Sequence, residues 1–444
     1  MLSDLSMQMI HYVFDNMDDA VFITGKQGTI RYANPAAKQI MSLPPDYESS
    51  MKIWKAIPLV KENDDLIQLF LDAIQTGKDQ HSTAVTFRDN QGGLHQLLVR
   101  VNFVKADNGF FITVISDLTE LIRVTSAFTR YTSTQIADYV LNRPEGEKQG
   151  GTMRRTTILM SDLRGFSAMC KSMGASRQVT MLNHYFEAMV GIIERHHGTV
   201  IEFLGDGIFV VFGAPRTDSR HAEHAVACAL EMQNAMDEVN EWNAANGYPA
   251  LEMGIGINSG RTVTGNIGSS VKMKYGCIGP DVNLAGRIEA QTVGGQVLIS
   301  EKTKKLLRRP VSIRRTLNVT LKGIGESEMI YDVIGLGEKN RLKQAEKSLC
   351  WKAVEPAAER EFQLLDEHKR ILDNRYSCRI HAVSDDFSHA RMQTDAEIAE
   401  FSNLKIDAGG EVYAKVVGKE DGLWILCFTH TPDGTGWTAA LTGK

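Results

Sequence analysis

An apolar run over residues 20–24 (Ala-Val-Phe-Ile-Thr) reads as a strand, and apolar and polar residues alternate over 29–33 (Thr-Ile-Arg-Tyr-Ala), with Gly25 and Gly28 between them. Glycines that tolerate positive φ suit the tight turn, so the pattern predicts a β-hairpin. Asn34 and Pro35 then predict a helix start, Asn34 as the capping acceptor and Pro35 in the first turn. Further alternation predicts strands over 82–88, 94–105 and 109–116. From residue 119 to 141 the spacing turns helical: Leu121, Val124, Phe128, Tyr131, Ile136, Tyr139 and Val140 form a broken stripe that predicts one helix. Residues 142–151, rich in Gly and charge, read as a linker. A second block follows. Residues 156–162 form a buried-type strand ending on Asp162, and the turn Leu-Arg-Gly-Phe-Ser (163–167) leads to a helix. Residues 199–204 and 207–212 predict a hairpin with Asp206 at its tip. A strand ends near Ile278, and Pro280 and Asp281 open a helix. Residues 339–375 read as helical, with Phe362, Leu364 and Leu365 on the apolar side; strands are predicted over 376–383, 411–418 and 423–428.

A chain of 444 residues predicts two to four domains of about 100–200 residues each. Its 43% apolar and 23% charged residues are those of a soluble globular protein. A net charge of -5 argues against a nucleic-acid partner or attraction to an acidic membrane. The six cysteines are scattered without a C-x-x-C pair, which argues against a disulfide framework or zinc site and suits a reducing compartment. No basic stretch followed by a long apolar core opens the chain, and no apolar run reaches the ~18 residues of a membrane span. The expectation is a cytoplasmic protein.

Chemistry narrows the picture. A strand that delivers Asp162 to a turn facing a helix N-terminus makes a natural phosphate and metal site. Asp206 supplies a second carboxylate, and hard oxygen ligands suit Mg²⁺. Asn283 and Arg287 are four apart, so both project from one helical face, where an amide and a guanidinium could hold a ribose and a transferring phosphoryl group. Each feature also has an ordinary explanation: a Gly-Asp-Gly turn, a strand end, a helix cap, a surface arginine.

Two resemblances join these features. Residues 6–120, with D-x-x-D-A-V-F-I-T, Y-A-N-P-A-A and the closing Asp117-Leu118-Thr119-Glu120, resemble a PAS sensor domain. The resemblance names no ligand: the segment has no cysteine for a flavin adduct, and His11, His81 and His95 are isolated. Residues 156–333, with F-L-G-D-G-I-F-V-V-F-G-A-P and V-N-x-A-x-R-I-E, resemble the class III adenylyl/guanylyl cyclase family. That resemblance implies that Asp162 and Asp206 bind two Mg²⁺ or Mn²⁺ ions per site, that Asn283 orients the ribose and that Arg287 stabilises the transition state. Phe166 in the turn, Lys272 and Lys322 are the implied phosphate-binding residues. It further implies a homodimer, in which one chain's aspartates face the other chain's Glu202, Asn283, Arg287 and Lys322. The 119–141 helix would then pair with its copy as a two-stranded coil.

Base selection rests on Glu202 and Gly276. Adenylyl cyclases usually carry lysine at the first position and guanylyl cyclases glutamate. A carboxylate accepts from guanine N1–H and its 2-amino group, whereas adenine N1 would leave it unpaired, at ~1–3 kcal/mol. At the second position Gly276 offers no acceptor for the adenine amine. In a register shifted by one, Cys277 reads the base, which leans the same way. GTP is therefore expected over ATP; the alternatives are an adenylyl cyclase and a catalytically silent dimeric scaffold. Arg375 and Arg379, spaced R-x-x-x-R, and the strand-rich C-terminus vaguely resemble a PilZ domain, implying a cyclic di-GMP or protein partner. The expected architecture is α+β multidomain: a PAS-like α/β sensor (1–118), a signalling helix and linker (119–150), a ferredoxin-like cyclase domain (151–337), a helical linker (338–375) and a small β-barrel-like domain (376–444).

Overall fold

The computed structural model describes residues 12–41, 43, 51–105, 109–170, 173–320, 327–338, 342–343, 349–366, 370–432 and 436–443. It divides into two compact units, Met1–Tyr131 and Thr132–Lys444.

In the first unit, β1 (Ala20–Gly25) and β2 (Ile30–Ala33) form the hairpin, followed by α1 (Pro35–Ile40) and α2 (Asp64–Thr76). Strands β3 (Gln80–Arg88), β4 (Leu94–Val104) and β5 (Phe110–Asp117) complete an antiparallel sheet ordered β2-β1-β5-β4-β3. Asn34 caps α1, its side chain accepting from Ala37 N at 2.8 Å and from Val21 N at 2.9 Å. The core gathers Phe22, Ile30, Leu66, Phe70, Phe87, Leu97 and Phe111. The unit ends in α3 (Thr119–Tyr131), which buries no residue.

The predicted 119–141 helix is in fact two. A second helix, α4 (Thr134–Asn142), starts afresh after Ser133, whose hydroxyl accepts from Ile136 N. A serine that satisfies a helix start locally competes with continuing the previous turn.

The second unit is built on β6 (Gly150–Leu163), a short α5 (Phe166–Met169), α6 (Ala175–Arg195), β7 (Thr199–Leu204), β8 (Gly207–Phe212), α7 (His221–Ala245) and β9 (Met253–Gly268). The strand order β9-β6-β8-β7 is that of a β-α-β-β-α-β ferredoxin-like sheet. Beyond it come β10 (Met273–Ile278), α8 (Pro280–Glu289), β11 (Val297–Ser300), α9 (Glu301–Leu306), β12 (Val311–Thr320), β13 (Ser327–Leu336) and the two-residue β14 (Leu342–Lys343). β8 shows how strand alternation divides the core. Ile208, Val210 and Phe212 face the layer of α6 and α7, while Phe209 and Val211 face the opposite layer with Tyr275, Val282 and Ala285.

The remaining strands, β15 (Trp351–Leu365), β16 (Ile371–Ser384), β17 (His389–Gln393), β18 (Asn403–Asp407), β19 (Glu411–Glu420) and β20 (Leu423–His430), form a closed barrel, ordered β15-β16-β17-β20-β19-β18 and followed by α10 (Gly436–Thr442). This corrects the helical linker expected over 338–375: residues 351–365 are a barrel strand. Val354, Ala358 and Phe362 are its buried residues, spaced four apart as on a helix. The cause is a bulge: Ala353 pairs with Ala382, but Ala358 pairs with Ile380, so β15 accommodates extra residues that stretch the period. Among the described residues no helix is long and apolar enough to cross a membrane.

Candidate active site

Asp162 stands one residue from the end of β6, which pairs with β9 along its whole length, from Gly150↔Asn266 to Leu163↔Met253. Asp206 sits in the two-residue turn joining β7 and β8, next to Gly205 with φ +68°. β6 and β8 pair at Ser161↔Ile208, which brings the turn beside Asp162. Gly207 is needed there: a Cβ on it would lie 2.6 Å from Ser161 O and 3.5 Å from Asp162 Oδ1. The bare backbone lets the turn approach the end of β6 closely.

Arg164, two residues beyond Asp162, ties this turn to α8. Its guanidinium lies 3.5 Å from Asp162 Oδ2 and donates to Glu289 Oε1, while its amide donates to Glu252 O at 2.8 Å. Burial draws the Arg164 guanidinium below its ordinary pKa, opposed by the charges of Asp162 and then Asp206. Burial pushes the Tyr185 hydroxyl up, and both carboxylates add to the rise. Both aspartates therefore act on one small region. Phe166 is buried in the main core and anchors the turn from below.

Helix α8 buries Val282, Leu284, Ala285 and Ile288, which leaves Asn283 exposed and Arg287 half-buried on the other side. Burial of the larger three is worth roughly 1.5–3 kcal/mol each. The helix lies directly on β9, where side chains would obstruct it. A Cβ on Gly256 would come 2.2 Å from Glu289 N, and one on Gly260 2.0 Å from the Asp281 carboxyl carbon. The first turn is pinned by Asp281, whose carboxylate accepts from Arg261 N at 3.1 Å and from Lys302 Nζ at 2.7 Å.

Glu202 is exposed on β7, and Lys274 Nζ of β10 lies 2.6 Å from its Oε1. Strand alternation puts Gly276 on the same face as Lys274, with Tyr275 and Cys277 turned inward. Cys277 is buried among Ile201, Phe209 and Val282. Burial pushes its thiol up, partly opposed by hydrogen bonds with Thr262 and Thr156. This removes the shifted register in which Cys277 would read a base: its side chain faces the core. Lys272 is exposed in the β9–β10 turn, its amide donating to Ser269 Oγ at 3.1 Å. Lys322 lies outside the described residues.

The structure thus assembles two groups in one chain. One is Asp162, Asp206 and Phe166 with Arg164. The other is Glu202 and Gly276 with Lys274. Asn283 and Arg287 share the open face of α8. Arg164, Lys274 and Glu289 escaped the sequence reading. Their only signals were proximity to assigned residues: Arg164 two after Asp162, Glu289 two after Arg287, Lys274 two before Gly276. The two carboxylates, the bare Gly207 backbone and the half-exposed Asp162 side chain fit a hard divalent cation, which favours oxygen ligands and retains open positions for water or phosphate.

A family model described as "Adenylate and Guanylate cyclase catalytic domain" matches residues 150–334, and one for the PAS domain matches residues 8–75. The chain is 31% identical over 185 residues to adenylate cyclase 1 of Rhizobium meliloti (strain 1021), covering 41% of this chain and 28% of that protein. It is 29% identical over 280 residues to an adenylate cyclase of Anabaena cylindrica, covering 60% and 53% respectively. The chain therefore spans from about a quarter to about half the length of these curated relatives. The crystal structure of the guanylyl cyclase Cya2 aligns with 46% identity over 44% of this chain and 100% of that one, at a TM-score of 0.43. Residues 150–334 are thus a class III adenylate/guanylate cyclase catalytic domain, and residues 8–75 match a PAS domain.

Proposed function

We propose that the chain is a PAS-regulated guanylyl cyclase, forming 3′,5′-cyclic GMP and pyrophosphate from GTP. The observation that carries the choice of base is the Glu202 carboxylate, exposed on β7 and reached by Lys274 of β10, the strand that also carries the side-chain-free Gly276. A carboxylate only accepts hydrogen bonds, so it suits guanine N1–H and the 2-amino group, and against adenine N1 it would be left unpaired at ~1–3 kcal/mol.

In this reading Asp162 and Asp206 would hold two Mg²⁺ or Mn²⁺ ions, which would supply Lewis-acid charge; the reaction is attack of the ribose 3′-hydroxyl on the α-phosphate with pyrophosphate leaving. The chain's own groups do the positioning. The Asn283 amide bonds the ribose. Arg287 places positive charge against the transferring phosphoryl group, where charge develops. The turn ending at Phe166 offers amides to phosphate, and Lys272 and Lys322 neutralise the polyphosphate. Each site combines the aspartates of one chain with Glu202, Asn283, Arg287 and Lys322 of a second. The exposed Phe203, Leu204, Met273 and Ile278 flanking Glu202 and Gly276 support such a homodimer, since water-facing apolar groups of this size favour a partner surface. The exposed stripe Leu121, Val124 and Tyr131 on α3 supports pairing of the signalling helices. A cyclic di-GMP site at Arg375 and Arg379 has less in its favour, because Glu361 and Glu359 engage these arginines at 3.2 and 3.1 Å.

One observation favours ATP as the second reading. Lys274 Nζ, 2.6 Å from Glu202, is the kind of donor that adenine N1 accepts from. The test is to supply the purified chain with Mn²⁺ and equal ATP and GTP, then identify the product. Mainly cyclic GMP is expected, and Glu202→Lys with Gly276→Asp should move the product toward cyclic AMP. An unchanged ratio overturns the assignment of the base. Formation of neither cyclic product overturns the enzyme in favour of a silent scaffold.

A further inference from the structure

The barrel after the cyclase domain touches both parts of the catalytic machinery. On β19, Lys415 is only 4% exposed, yet its ammonium points out of the barrel and donates to Ala290 O at 3.0 Å and Gln291 O at 2.8 Å. Ala290 is the cap residue that ends α8, the helix bearing Asn283 and Arg287. The last carbonyls of a helix lack intrahelical partners and carry partial negative charge, so a cation there satisfies and stabilises them. A buried ammonium is costly unless so engaged, which makes the contact strongly directional. Around it, Val293 of the cyclase domain packs with Val417, Ile425 and Cys427 of the barrel, and Trp351 closes the cluster. Arg315 of β12 donates to Val417 O. At the metal turn, a Cβ placed on Gly165 would lie 3.1 Å from Thr429 O of β20.

We propose that the barrel is a built-in clamp on the catalytic elements, and that Lys415 is a positioning residue that holds the C-terminal end of α8 so that Arg287 meets the transferring phosphoryl group. This rests on the cyclase reading of Arg287. Lys415 reaches no substrate atom. It acts by fixing the last turn of the helix, three residues beyond Arg287, to a rigid barrel strand.

The test uses the full chain. Lys415→Met keeps most of the aliphatic volume and removes the donors. It is expected to lower kcat about 10- to 100-fold, the scale of an ångström-level misplacement, with KM within about 2-fold. Amide exchange over residues 286–292 should quicken, while exchange in the barrel strands 404–406 and 412–414 stays at the wild-type rate. Lys415→Arg, which restores charged donors, should recover most of kcat. Lys419→Met, at an exposed site on the same strand, should change neither readout. If Lys415→Met leaves kcat and the 286–292 exchange as in wild type, the clamp is overturned. The same holds if exchange rises equally throughout the barrel and Lys415→Arg fails to rescue, which marks a merely structural lysine. Should the Met variant not fold, Lys415→Gln, with one amide donor and no charge, is read in the same two ways. Failure of the wild-type chain to turn over any nucleoside triphosphate sinks the cyclase reading instead, and the exchange result still judges the contact.

Discussion

Two carboxylate–cation pairs lie within residues 150–334, and they differ in their access to water. Arg164 and Glu289 are 16% and 15% exposed, while Lys274 and Glu202 are 51% and 47% exposed. In the first pair, loss of one partner strands a buried charge at a cost of about 3–5 kcal/mol. The second contributes about 0–1 kcal/mol, because water and salt compete for both groups. A pair whose break costs so little is easily traded for a ligand; a pair whose break strands a buried charge holds its two elements together. The chemistry is shared, and burial alone decides which pair is structural and which is available for recognition.

This contrast can be broken by substitution. The largest effect is expected outside both pairs: Asp162→Ala or Asp206→Ala should cut turnover at least ~100-fold, because metal charge at the reacting phosphate is worth several kcal/mol. Turnover rates with Mg²⁺ and Mn²⁺ measure it, and full activity in either variant removes the metal site. Next, Arg164→Met should lower unfolding stability by about 3 kcal/mol and reduce kcat together with it, since it frees Glu289 and loosens the metal turn from α8. A denaturant midpoint equal to wild type would show that losing Arg164 strands no buried charge. Lys274→Met should change stability by less than about 1 kcal/mol while altering the ratio of GTP to ATP used. An unaltered ratio would mean that Lys274 plays no part in base selection.

The smallest effect sharpens the comparison with a pair whose charge depends on pH. In the PAS unit, His95 lies 2.8 Å from Asp117 and 3.3 Å from Asp89. Burial alone would lower its pKa, but the hydrogen bonds and charges of the two aspartates outweigh it and raise the value. Burial works the other way on the carboxyls, yet bonds with Thr119 and His95 lower Asp117, and bonds with His95, Gly93 and Gln91 lower Asp89. A raised histidine value stabilises the fold fully below its unfolded pKa, ~6.5, and that contribution fades as pH rises through the folded value. The lowered aspartates stabilise above ~4 and lose the contribution on further acidification. The unit should therefore be most stable between pH ~4 and ~6.5. His95→Gln should flatten the decline above pH 6.5 in denaturant unfolding of the chain, by under about 1 kcal/mol. An undiminished decline in that variant assigns it to other groups.

How much of this was legible in the sequence depends on the distance of the contacts. Asp162 and Asp206 stand out because each ends or interrupts a strongly apolar strand, and Asn283 and Arg287 because a spacing of four defines a helical face. Arg164 was invisible as a partner, since Glu289 is 125 residues away and no local pattern joins them. Cys277 and Gly276 could be separated only once Tyr275 and Cys277 were seen to face inward together. The barrel's first strand passed for a helix because its bulge spaces Val354, Ala358 and Phe362 like helical turns. The second helix after Tyr131 merged with the first because Ser133, one small polar residue, carries the entire break.

The unbroken pairing of β6 with β9 sets the tolerance of the chain to change in length. Because side chains on a strand point to alternate faces, adding or dropping one residue between Thr152 and Met160 would turn Asp162 away from Asp206 and toward the opposite layer. Residues 142–149 just upstream lack that alternation, but the Asn266 amide donates to Gly146 O at 2.6 Å and Lys148 O at 3.1 Å and so ties the segment to β9. Changes of length among related chains should thus be excluded from β6, where the count of residues, more than their identity, keeps Asp162 beside the β7–β8 turn.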